Sequence, residues 1–414
     1  MRRLLLLIPT TTYRTEDFLD AARELRVELV VGSERPSTLE AEFPDHLLTL
    51  DFANPEKAAR KVVEFARRNP IHAVVPVDDL TTVVGAAIAD ALSLPSTNSV
   101  VAVSTARNKH QMREALRKAG VPGPPDALFT LRDDPAAAAR AVRYPCVLKP
   151  TILAASRGVI RADTEAGFVA AFRRIQAILT TPDVAALGEG ADQILVEGFI
   201  PGREVALEGL LVSGALRVLA LFDKPDPLDG PFFEETIYVT PSRLPAEVQT
   251  AIAAATARAA RALGLREGPV HAELRVNDVG PWIIEIAARS IGGLCSRTLR
   301  FGTGMSLEEI ILRHALGLEI ATLERERQPA GVMMIPIPRR GVLEAVRGPE
   351  AAQAVPGIED VRITAHLGQE LVPLPEGSRY LGFIFARAET PERVEAALRE
   401  AHRRLTFAIA EPHG

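Results

Sequence analysis

Two strand-like segments joined by a turn decide the fold: His-Ala-Glu-Leu-Arg-Val at residues 271–276, Asn-Asp-Val-Gly at 277–280, and Ile-Ile-Glu-Ile-Ala-Ala-Arg at 283–289. Because side chains alternate along a strand, His271, Glu273 and Arg275 share one face of the first segment. The middle segment has the composition of a hairpin turn, which brings the last segment back beside the first. We therefore expect Glu273 and Glu285 to project from neighbouring strands into one space.

Two carboxylates held this close indicate a divalent cation. They repel each other unless a positive charge lies between them, and Mg²⁺ is suited to that place when phosphate oxygens complete its octahedral shell. Arg289, four residues after Glu285, is expected at the strand end facing the same cavity. The alternative is a solvated strand face that carries paired charges. Glu285 has apolar neighbours in the sequence, where a charge is unfavourable without a purpose, and this favours a site.

A second candidate segment combines a lysine with a loop of small residues. Lys149 ends a predicted strand over residues 145–150 and precedes a loop at 151–159 that contains Ser156, Arg157 and Gly158. Such a loop can bind ATP phosphates through charge and backbone N–H groups. The segment is not a Walker A sequence, and a lysine at a strand end can also be simply solvated.

Two further segments could form the remaining walls of such a site. Residues 195–205 predict a strand, a Pro-Gly turn and a second strand, with backbone groups free for an adenine edge and Glu204 placed to accept from ribose hydroxyls; the alternative is a tight turn with surface glutamates. Residues 223–238 combine charged and aromatic side chains that could bind an amino acid, or the aromatic residues could only fix the loop. The substrate candidates in this segment are Asp223, Lys224, Glu235 and Tyr238.

The first hundred residues alternate between strand-like and helix-like runs. This pattern predicts a parallel sheet with helices on both faces. The first strand leads into Pro-Thr-Thr-Thr at residues 9–12 and lacks the G-x-G-x-x-G cradle, which argues against a dinucleotide-binding domain. A helix over 109–119 followed by Gly120 and a proline cluster predicts one domain boundary. The polar segment 325–331 predicts a second linker, before a small α+β region.

Composition excludes several classes of protein. The chain has 414 residues and a formal net charge of −5, without the basic blocks that indicate nucleic acid or an anionic membrane. No apolar run approaches the roughly 20 residues of a membrane span, and the run at residues 4–8 is shorter than a signal-peptide core. Two cysteines are too few for a disulfide framework or a cysteine-based zinc site. A reducing compartment, by default the cytoplasm, is expected.

Taken in order, these motifs resemble those of the ATP-grasp superfamily. The matching positions are Lys109 after Asn108, Lys149, Glu197 to Glu204, Glu273, and Glu285 followed by Arg289, Gly292 and Gly293. The chain is most similar to carboxylate–amine ligases related to L-amino acid ligases. This resemblance implies an ATP-grasp fold of mixed α/β and α+β class. It divides the chain into an amino-terminal parallel α/β domain (1–105), an ATP-grasp domain of two subdomains that clamp ATP (106–325) and a carboxyl-terminal α+β lid domain (326–414).

The same resemblance implies roles for individual residues. ATP would be bound by Lys109, Lys149, Ser156, Arg157, Gly158, Glu197, Phe199 and Glu204. Among these, Glu197 and the backbone of Phe199 would meet adenine, and Glu204 would meet the ribose. Mg²⁺ (or Mn²⁺) would be bound by Glu273 and Glu285, and catalysis would rest on Arg289 and Lys149. Gly292 and Gly293 would lie at the substrate. Ala287 departs from the pattern, because the superfamily often has a metal-binding asparagine there.

The implied reaction activates a small carboxylic acid, expected to be an amino acid, as an acyl phosphate that an amine then attacks to give an amide, ADP and phosphate. Closure of the loop at 151–159 and of the carboxyl-terminal domain would exclude water. The alternatives are an ATP-grasp carboxylase or ligase of nucleotide metabolism and a non-catalytic ATP-binding module. Expected partners are the small-molecule acid and amine, with no nucleic acid and no membrane; family members are often dimers, so a homodimer is one expectation.

Overall fold

The computed structural model describes residues 2–95 and 97–411. The amino-terminal part contains β1 (Arg3–Leu7), α1 (Thr15–Glu24), β2 (Glu28–Ser33), β3 (Leu47–Thr49), α2 (Pro55–Ala66), β4 (Ala73–Pro76), α3 (Asp79–Ala91) and α4 (Val100–Arg107). The next part contains α5 (Lys109–Lys118), β5 (Asp126–Thr130), α6 (Pro135–Ala141), β6 (Cys146–Pro150), β7 (Ile160–Ala162), α7 (Glu165–Leu179), α8 (Pro182–Ala185) and β8 (Gln193–Gly198).

The second half of the chain begins with a long antiparallel hairpin. It contains β9 (Arg203–Val212), β10 (Ala215–Asp223), β11 (Ile237–Thr240), α9 (Ala246–Ala262), β12 (Gly268–Asn277), β13 (Gly280–Ala287), a 3₁₀ turn (Cys295–Thr298) and α10 (Leu307–Ala315). The last part contains β14 (Ala330–Ile335), β15 (Gly341–Arg347), α11 (Pro349–Gln353), β16 (Ile358–Ile363), β17 (Glu370–Leu371), β18 (Gly382–Arg387), α12 (Pro391–Arg404) and β19 (Thr406–Ala410).

The amino-terminal sheet is parallel, as the sequence predicts. Its strand order is β3-β2-β1-β4, and residues 4–7 of β1 are fully buried because helices cover both faces. The strand order reverses between β1 and β4. In open α/β sheets such a reversal leaves a crevice at the carboxyl ends of the strands, where ligands bind.

A small antiparallel sheet, in the order β5-β8-β6-β7, follows in the chain. Helix α7 packs on it through Phe168 and Phe172, both fully buried, and their burial holds the helix against β6 and β7. This sheet presents Lys149 and Glu197 on neighbouring strands, since Lys149 pairs with Leu195 and Val147 with Glu197 in the β6–β8 ladder.

The largest sheet has eight strands in the order β13-β12-β9-β10-β11-β14-β18-β16. It continues across the boundary expected at residues 325–331, because β14 pairs with β11 and begins at Ala330. Segments 106–325 and 326–414 therefore share one sheet, although a separate three-stranded sheet, β17-β15-β19, completes the carboxyl-terminal region.

Strands β12 and β13 form the hairpin that the sequence predicts, with Glu273 and Glu285 on neighbouring strands. Asn277 Oδ1 accepts hydrogen bonds from the Val279 amide (3.0 Å) and Trp282 Nε1 (3.1 Å), which stabilises the two-residue turn. Glu273 lies directly opposite Glu285, and the register then shifts by one residue. Such a β-bulge re-aims side chains.

Candidate active site

A cavity of about 580 Å³ is lined by all the main parts of the fold. Loops that follow β1 and β4 form one wall, the small sheet forms a second, and the large sheet forms the third. The carboxyl-terminal region contributes Ser378, Arg379 and Tyr380. Sites between subdomains of this kind bury small ligands.

The two predicted metal ligands both line this cavity. Glu273 and Glu285 are cross-strand neighbours, and Lys109 Nζ lies 3.3 Å from Glu285 Oε1 while donating to the Leu153 carbonyl at 2.7 Å. Burial raises the pKa of Glu273; the charge of Lys224 opposes this rise, and the negative charge of Glu285 adds to it. The structure thus brings the pair together in an environment where a further cation would be stabilised.

Lys224 is buried among three carboxylates, a group that we term the lysine-centred cluster: Lys224, Glu204, Glu235 and Glu273. Lys224 Nζ lies 3.0 Å from Glu204 Oε1, 3.7 Å from Glu273 Oε1, and in closer contact with Glu235. Burial lowers the pKa of Lys224, but these carboxylates outweigh it and raise the pKa well above its usual value. Burial raises the pKa of Glu235.

Glu204, expected to accept from ribose hydroxyls, already has a partner at each carboxylate oxygen. Lys224 is one, and Arg275 Nε, which donates to Oε2 at 3.0 Å, is the other. A ribose hydroxyl would therefore share these acceptors with two cations. Glu204 lines the cavity beside Phe199 and Ile200.

A second cluster, at the small sheet, has the reverse charge pattern, with one acid between two bases. We term it the glutamate-centred cluster: Glu197, Arg113 and Lys149. Glu197 Oε1 accepts from Arg113 Nε, and Oε2 lies 2.6 Å from Lys149 Nζ. Burial would raise the pKa of Glu197, but the charges of Arg113 and then Lys149 lower it to about 2. Arg113 also donates to the carbonyls of Ile283 (2.7 Å) and Ile284 (2.6 Å), tying the cluster to β13. Sequence reasoning missed Arg113.

The segment expected to bind adenine is held by main-chain hydrogen bonds. The Phe199 amide donates to the Pro145 carbonyl at 3.0 Å. The main-chain group of Phe199 that could meet an adenine edge is therefore its carbonyl, which accepts hydrogen bonds. The Phe199 ring lies under two guanidinium groups, those of Arg161 (4.1 Å to the ring centroid) and Arg275 (4.9 Å). These cation–π contacts fix the ring at the cavity wall.

The loop expected to cover phosphates is docked against the carboxyl-terminal region. Arg157 Nε donates to the Glu376 carbonyl at 3.0 Å, and the Gly158 amide donates to the Pro375 carbonyl at 2.9 Å. Ser156 and Arg157 line the cavity, whereas Gly158 forms the turn behind them. Its φ is +74° and a Cβ there would lie 2.7 Å from a carbon of the Pro150 ring, so the position requires glycine.

Arg289 lines the cavity and is held by a residue that sequence reasoning missed. Its Nε donates to Asp79 Oδ2 at 2.7 Å, and its NH1 donates to the Ser290 carbonyl at 2.9 Å. Burial raises the pKa of Asp79, but the charge of Arg289 outweighs burial and lowers it. Asp79 begins α3, whose capping box joins Asp78 and Thr81. The Asp-x-x-Thr pattern after a strand was the available sequence signal.

The predicted substrate residues divide into two groups. Glu235, Tyr238, Gly292 and Gly293 line the cavity. The expectation for Asp223 is wrong: its carboxylate accepts from Ser242 Oγ (2.5 Å) and from the amide and Nε of Arg243 (both 2.9 Å). Successive side chains of an extended chain alternate in direction. The Lys224 side chain therefore reaches carboxylates that line the cavity, those of Glu204, Glu235 and Glu273, and its predecessor does not.

Three further residues complete the wall near the substrate candidates. The Tyr380 amide donates to the Tyr13 hydroxyl oxygen at 3.2 Å, which joins the amino- and carboxyl-terminal regions at the cavity. His271 Nδ1 lies 3.2 Å from Glu208 Oε2, and its Nε2 lies 3.5 Å from Glu273 Oε1. The His271 ring therefore lies between two carboxylates, hydrogen-bonded to Glu208 and facing Glu273.

Three segments of the chain match known protein families. Residues 19–96 match the ATP-grasp N-terminal domain, 142–298 the ATP-grasp domain, and 333–410 the L-amino acid ligase C-terminal domain 2. Within the two described ranges, every helix falls short of the length and apolar character that a membrane crossing needs.

Individual proteins are similar over longer stretches. A crystal structure of an L-amino acid ligase from Bacillus licheniformis has 26% sequence identity and a TM-score of 0.82, with 99% of each chain covered. The alanine–anticapsin ligase of Bacillus subtilis is 28% identical over 67% of this chain and 61% of that ligase. An uncharacterized protein of Sinorhizobium fredii, y4rH, is 22% identical over 99% of this chain and 84% of its own length. The chain thus spans about three-fifths of the length of the alanine–anticapsin ligase.

Proposed function

We propose that this chain is an ATP-grasp carboxylate–amine ligase that joins the carboxylate of an amino acid to the amine of a second small molecule, with ATP converted to ADP. One observation carries the proposal: Glu273 and Glu285 lie side by side in the same cavity as Arg289. Two acids and one arginine supply the opposite charges that bound metal and a transferred phosphoryl group require.

The chemistry of the cavity fits a divalent metal with a nucleotide triphosphate. Glu273 and Glu285 offer the oxygen ligands that hard cations prefer. Lys109 and Lys149 line the same cavity and would contact the phosphates. These two glutamates would hold Mg²⁺ (or Mn²⁺), which when bound would neutralise charge on the phosphate oxygens. Ala287 provides no third side-chain ligand.

The chain's own residues would then position the reactants. The substrate carboxylate attacks the γ-phosphate of ATP, ADP leaves, and Arg289 with Lys149 offsets the charge of the transferred phosphoryl group. In the second step the amine nitrogen forms a bond to the acyl carbon, the carbon–oxygen bond to phosphate breaks, and phosphate leaves with that electron pair and takes up the amine proton. Positioning supplies most of the rate, because no covalent enzyme intermediate is required.

Water must be excluded while the acyl phosphate exists. The loop at 151–159 closes the cavity in this structure because Arg157 and Gly158 bind the main chain at Glu376 and Pro375. Glu235 and Tyr238 line the same cavity. We assign the ammonium group of the activated amino acid to Glu235, because the three carboxylates of the lysine-centred cluster outnumber its one ammonium group.

A phosphate-release assay with pairs of amino acids tests the proposal, with mass spectrometry to identify the product. Replacing Glu285→Gln is expected to lower ATP-dependent, amine-dependent phosphate release by at least about 100-fold. The matched control is Asp223→Asn, an acid-to-amide change outside the cavity, which is expected to retain wild-type activity. Wild-type turnover in Glu285→Gln would refute the metal role. Release that needs bicarbonate in place of an amino acid would indicate a carboxylase.

We also propose that the protein works in the cytoplasm, which the two buried, unpaired thiols Cys146 and Cys295 support. Burial raises the pKa of Cys146 to about 12, so this thiol is unreactive at neutral pH. The homodimer expected from the family is a separate proposal that light scattering would check.

A further inference from the structure

His271 lines the active-site cavity beside the two proposed metal ligands, Glu273 and Glu285. It precedes Glu273 by two positions on β12, and the β12–β13 ladder sets it directly opposite Ala287. Side chains two positions apart on a strand share a face, and Ala287 has no ligand atom. Of this opposed pair, only the imidazole can therefore add a ligand beside the two glutamates.

The imidazole ring is held by a buried carboxylate on the neighbouring strand. Glu208 on β9 is fully buried, and its Oε2 lies 3.2 Å from His271 Nδ1 and accepts from the Ile291 amide at 3.0 Å. Because a carboxylate accepts hydrogen bonds, the ring hydrogen belongs on Nδ1, and the Nε2 lone pair is available on the other side of the ring. Metal-binding histidines typically have this arrangement, in which the second ring nitrogen donates to a carboxylate.

The distance from His271 to the nearer glutamate suits a shared ion. Nε2 lies 3.5 Å from Glu273 Oε1, and two adjacent ligand atoms of an octahedral ion at about 2.1 Å lie about 3 Å apart. A purely charge-neutralising role would be redundant, because Lys224 Nζ already lies 3.7 Å from the same oxygen. The imidazole therefore contributes more to this site as a nitrogen ligand than as a second cation.

We propose that His271 Nε2 is a third protein ligand of the divalent ion at Glu273 and Glu285, and that Glu208 is the positioning residue that orients it. This inference rests on the proposed ligase function, which puts the ion at the two glutamates. Imidazole suits later first-row ions such as Co²⁺, whereas oxygen ligands suit Mg²⁺. The site therefore favours Co²⁺ over Mg²⁺ to a degree that the two glutamates alone do not produce.

Electron spin-echo envelope modulation of bound Mn²⁺ tests the ligand directly, on the wild-type protein with Mn²⁺ and ADP. We expect the coupling of a directly bound nitrogen, and it should change when the histidines of the protein carry ¹⁵N. The nitrogen atoms of ADP and of the main chain outside histidine stay unlabelled and do not contribute to that change. Among the described residues that line the cavity, His271 is the one histidine. Bound Mn²⁺ without a histidine coupling would overturn the proposal, and this measurement requires no variant.

Metal affinities measured by calorimetry with ADP present give the second test. In His271→Gln the ratio of Co²⁺ affinity to Mg²⁺ affinity should fall about tenfold, because an amide oxygen replaces the nitrogen ligand. Glu208→Gln should weaken Co²⁺ binding about tenfold, because the ring loses the partner that orients it. His314→Gln is the matched control, since His314 also lies beside a glutamate, with Nε2 3.4 Å from Glu267 Oε2, but outside the cavity. It should behave as wild type.

The possible outcomes separate this proposal from the proposed function. An unchanged ratio of affinities in His271→Gln would overturn the proposal and leave the ring as a support for Glu273, even if the variant had lost activity. If Glu285→Gln bound Mn²⁺ as tightly as wild type does, the ion would lie elsewhere, and the metal role in the proposed function would itself be refuted.

Discussion

The glutamate-centred and lysine-centred clusters are built by the same means and have opposite charge. In the first, Glu197 lies between two buried bases, Arg113 and Lys149. In the second, Lys224 lies among three acids, Glu204, Glu235 and Glu273. One cluster therefore has an excess of positive charge and the other an excess of negative charge, although both contribute residues to one cavity.

The difference indicates which part of the ligands each cluster meets. Excess positive charge near Lys149 suits the phosphates of ATP, and excess negative charge near Glu273 suits metal and ammonium groups. Buried ions remain costly even when they are paired. Neither cluster is electrically neutral. The phosphates of a bound ATP should therefore balance the positive excess of one, and metal and ammonium groups the negative excess of the other.

The largest expected effect comes from removing the single acid of the glutamate-centred cluster. Glu197→Gln leaves two bases without a counter-charge and should lower the free energy of unfolding by about 3–5 kcal/mol. Urea denaturation would measure this. The matched variant Glu235→Gln should cost less than about 1 kcal/mol, since Lys224 keeps two other carboxylates. Equal losses would show that the clusters do not differ in this way.

The pH dependence of the free energy of unfolding tests the ion pairing of Glu197 in a second way. The pKa of Glu197 is lowered to about 2 in the folded protein, so its contribution is fully present above the unfolded pKa near 4.5 and is lost as the pH falls toward 2. The stability gap between wild type and Glu197→Gln should therefore shrink by about 3 kcal/mol over that range. Urea titrations at stepped pH would follow it. A gap that stays constant would contradict the ion pairing.

Lys224→Met removes the central charge of the other cluster, the lysine-centred one. Three carboxylates are left without their central cation, and the free energy of unfolding at pH 7 should fall by about 3 kcal/mol. Added Mg²⁺ or Mn²⁺ should recover more stability in this variant than in wild type, because a metal can replace the ammonium group. Thermal melts with and without metal would test both statements. Lys149→Met, which leaves Glu197 paired with Arg113, should show no such metal effect.

The smallest expected effect concerns Asp79, which positions Arg289 from the amino-terminal domain. Asp79→Asn keeps a hydrogen-bond acceptor but removes the charge, so kcat should fall about tenfold while the KM for ATP stays unchanged. Asp79→Glu should restore part of the rate. Steady-state kinetics would decide the matter, and a rise in the KM for ATP without loss of kcat would argue against a positioning role.

Features set by local sequence could be predicted, and those set by distant contacts could not. The two-residue turn that joins β12 and β13 is visible in the sequence, but its register alone would place Glu273 opposite Ile284. The bulge that brings Glu285 opposite Glu273 was not predicted. Asp79 meets Arg289 only because two domains pack together, since the two residues are 210 positions apart in the chain. Helix α3 was missed because it is buried on several sides and lacks a clear polar stripe.

Two features of the geometry were not visible in the local sequence. Asp223 lies next to Lys224 in the sequence, and grouping them overlooked the alternation that turns one side chain away from the cavity. The segment 325–331 has the composition of a linker, but a polar composition does not reveal that the strand beginning at Ala330 adds to an existing sheet edge.

That shared sheet has a consequence for how nucleotide enters. A hinge near residue 325 would have to break the ladder in which Ile237 pairs with Met333 and Thr240 with Ala330. The carboxyl-terminal strands should therefore move as one rigid body with the cavity floor, and the gate should be the small sheet, swinging on its connecting segments. Opening would release Gly158 from Pro375, so a covalent crosslink between those two positions is expected to trap ADP inside.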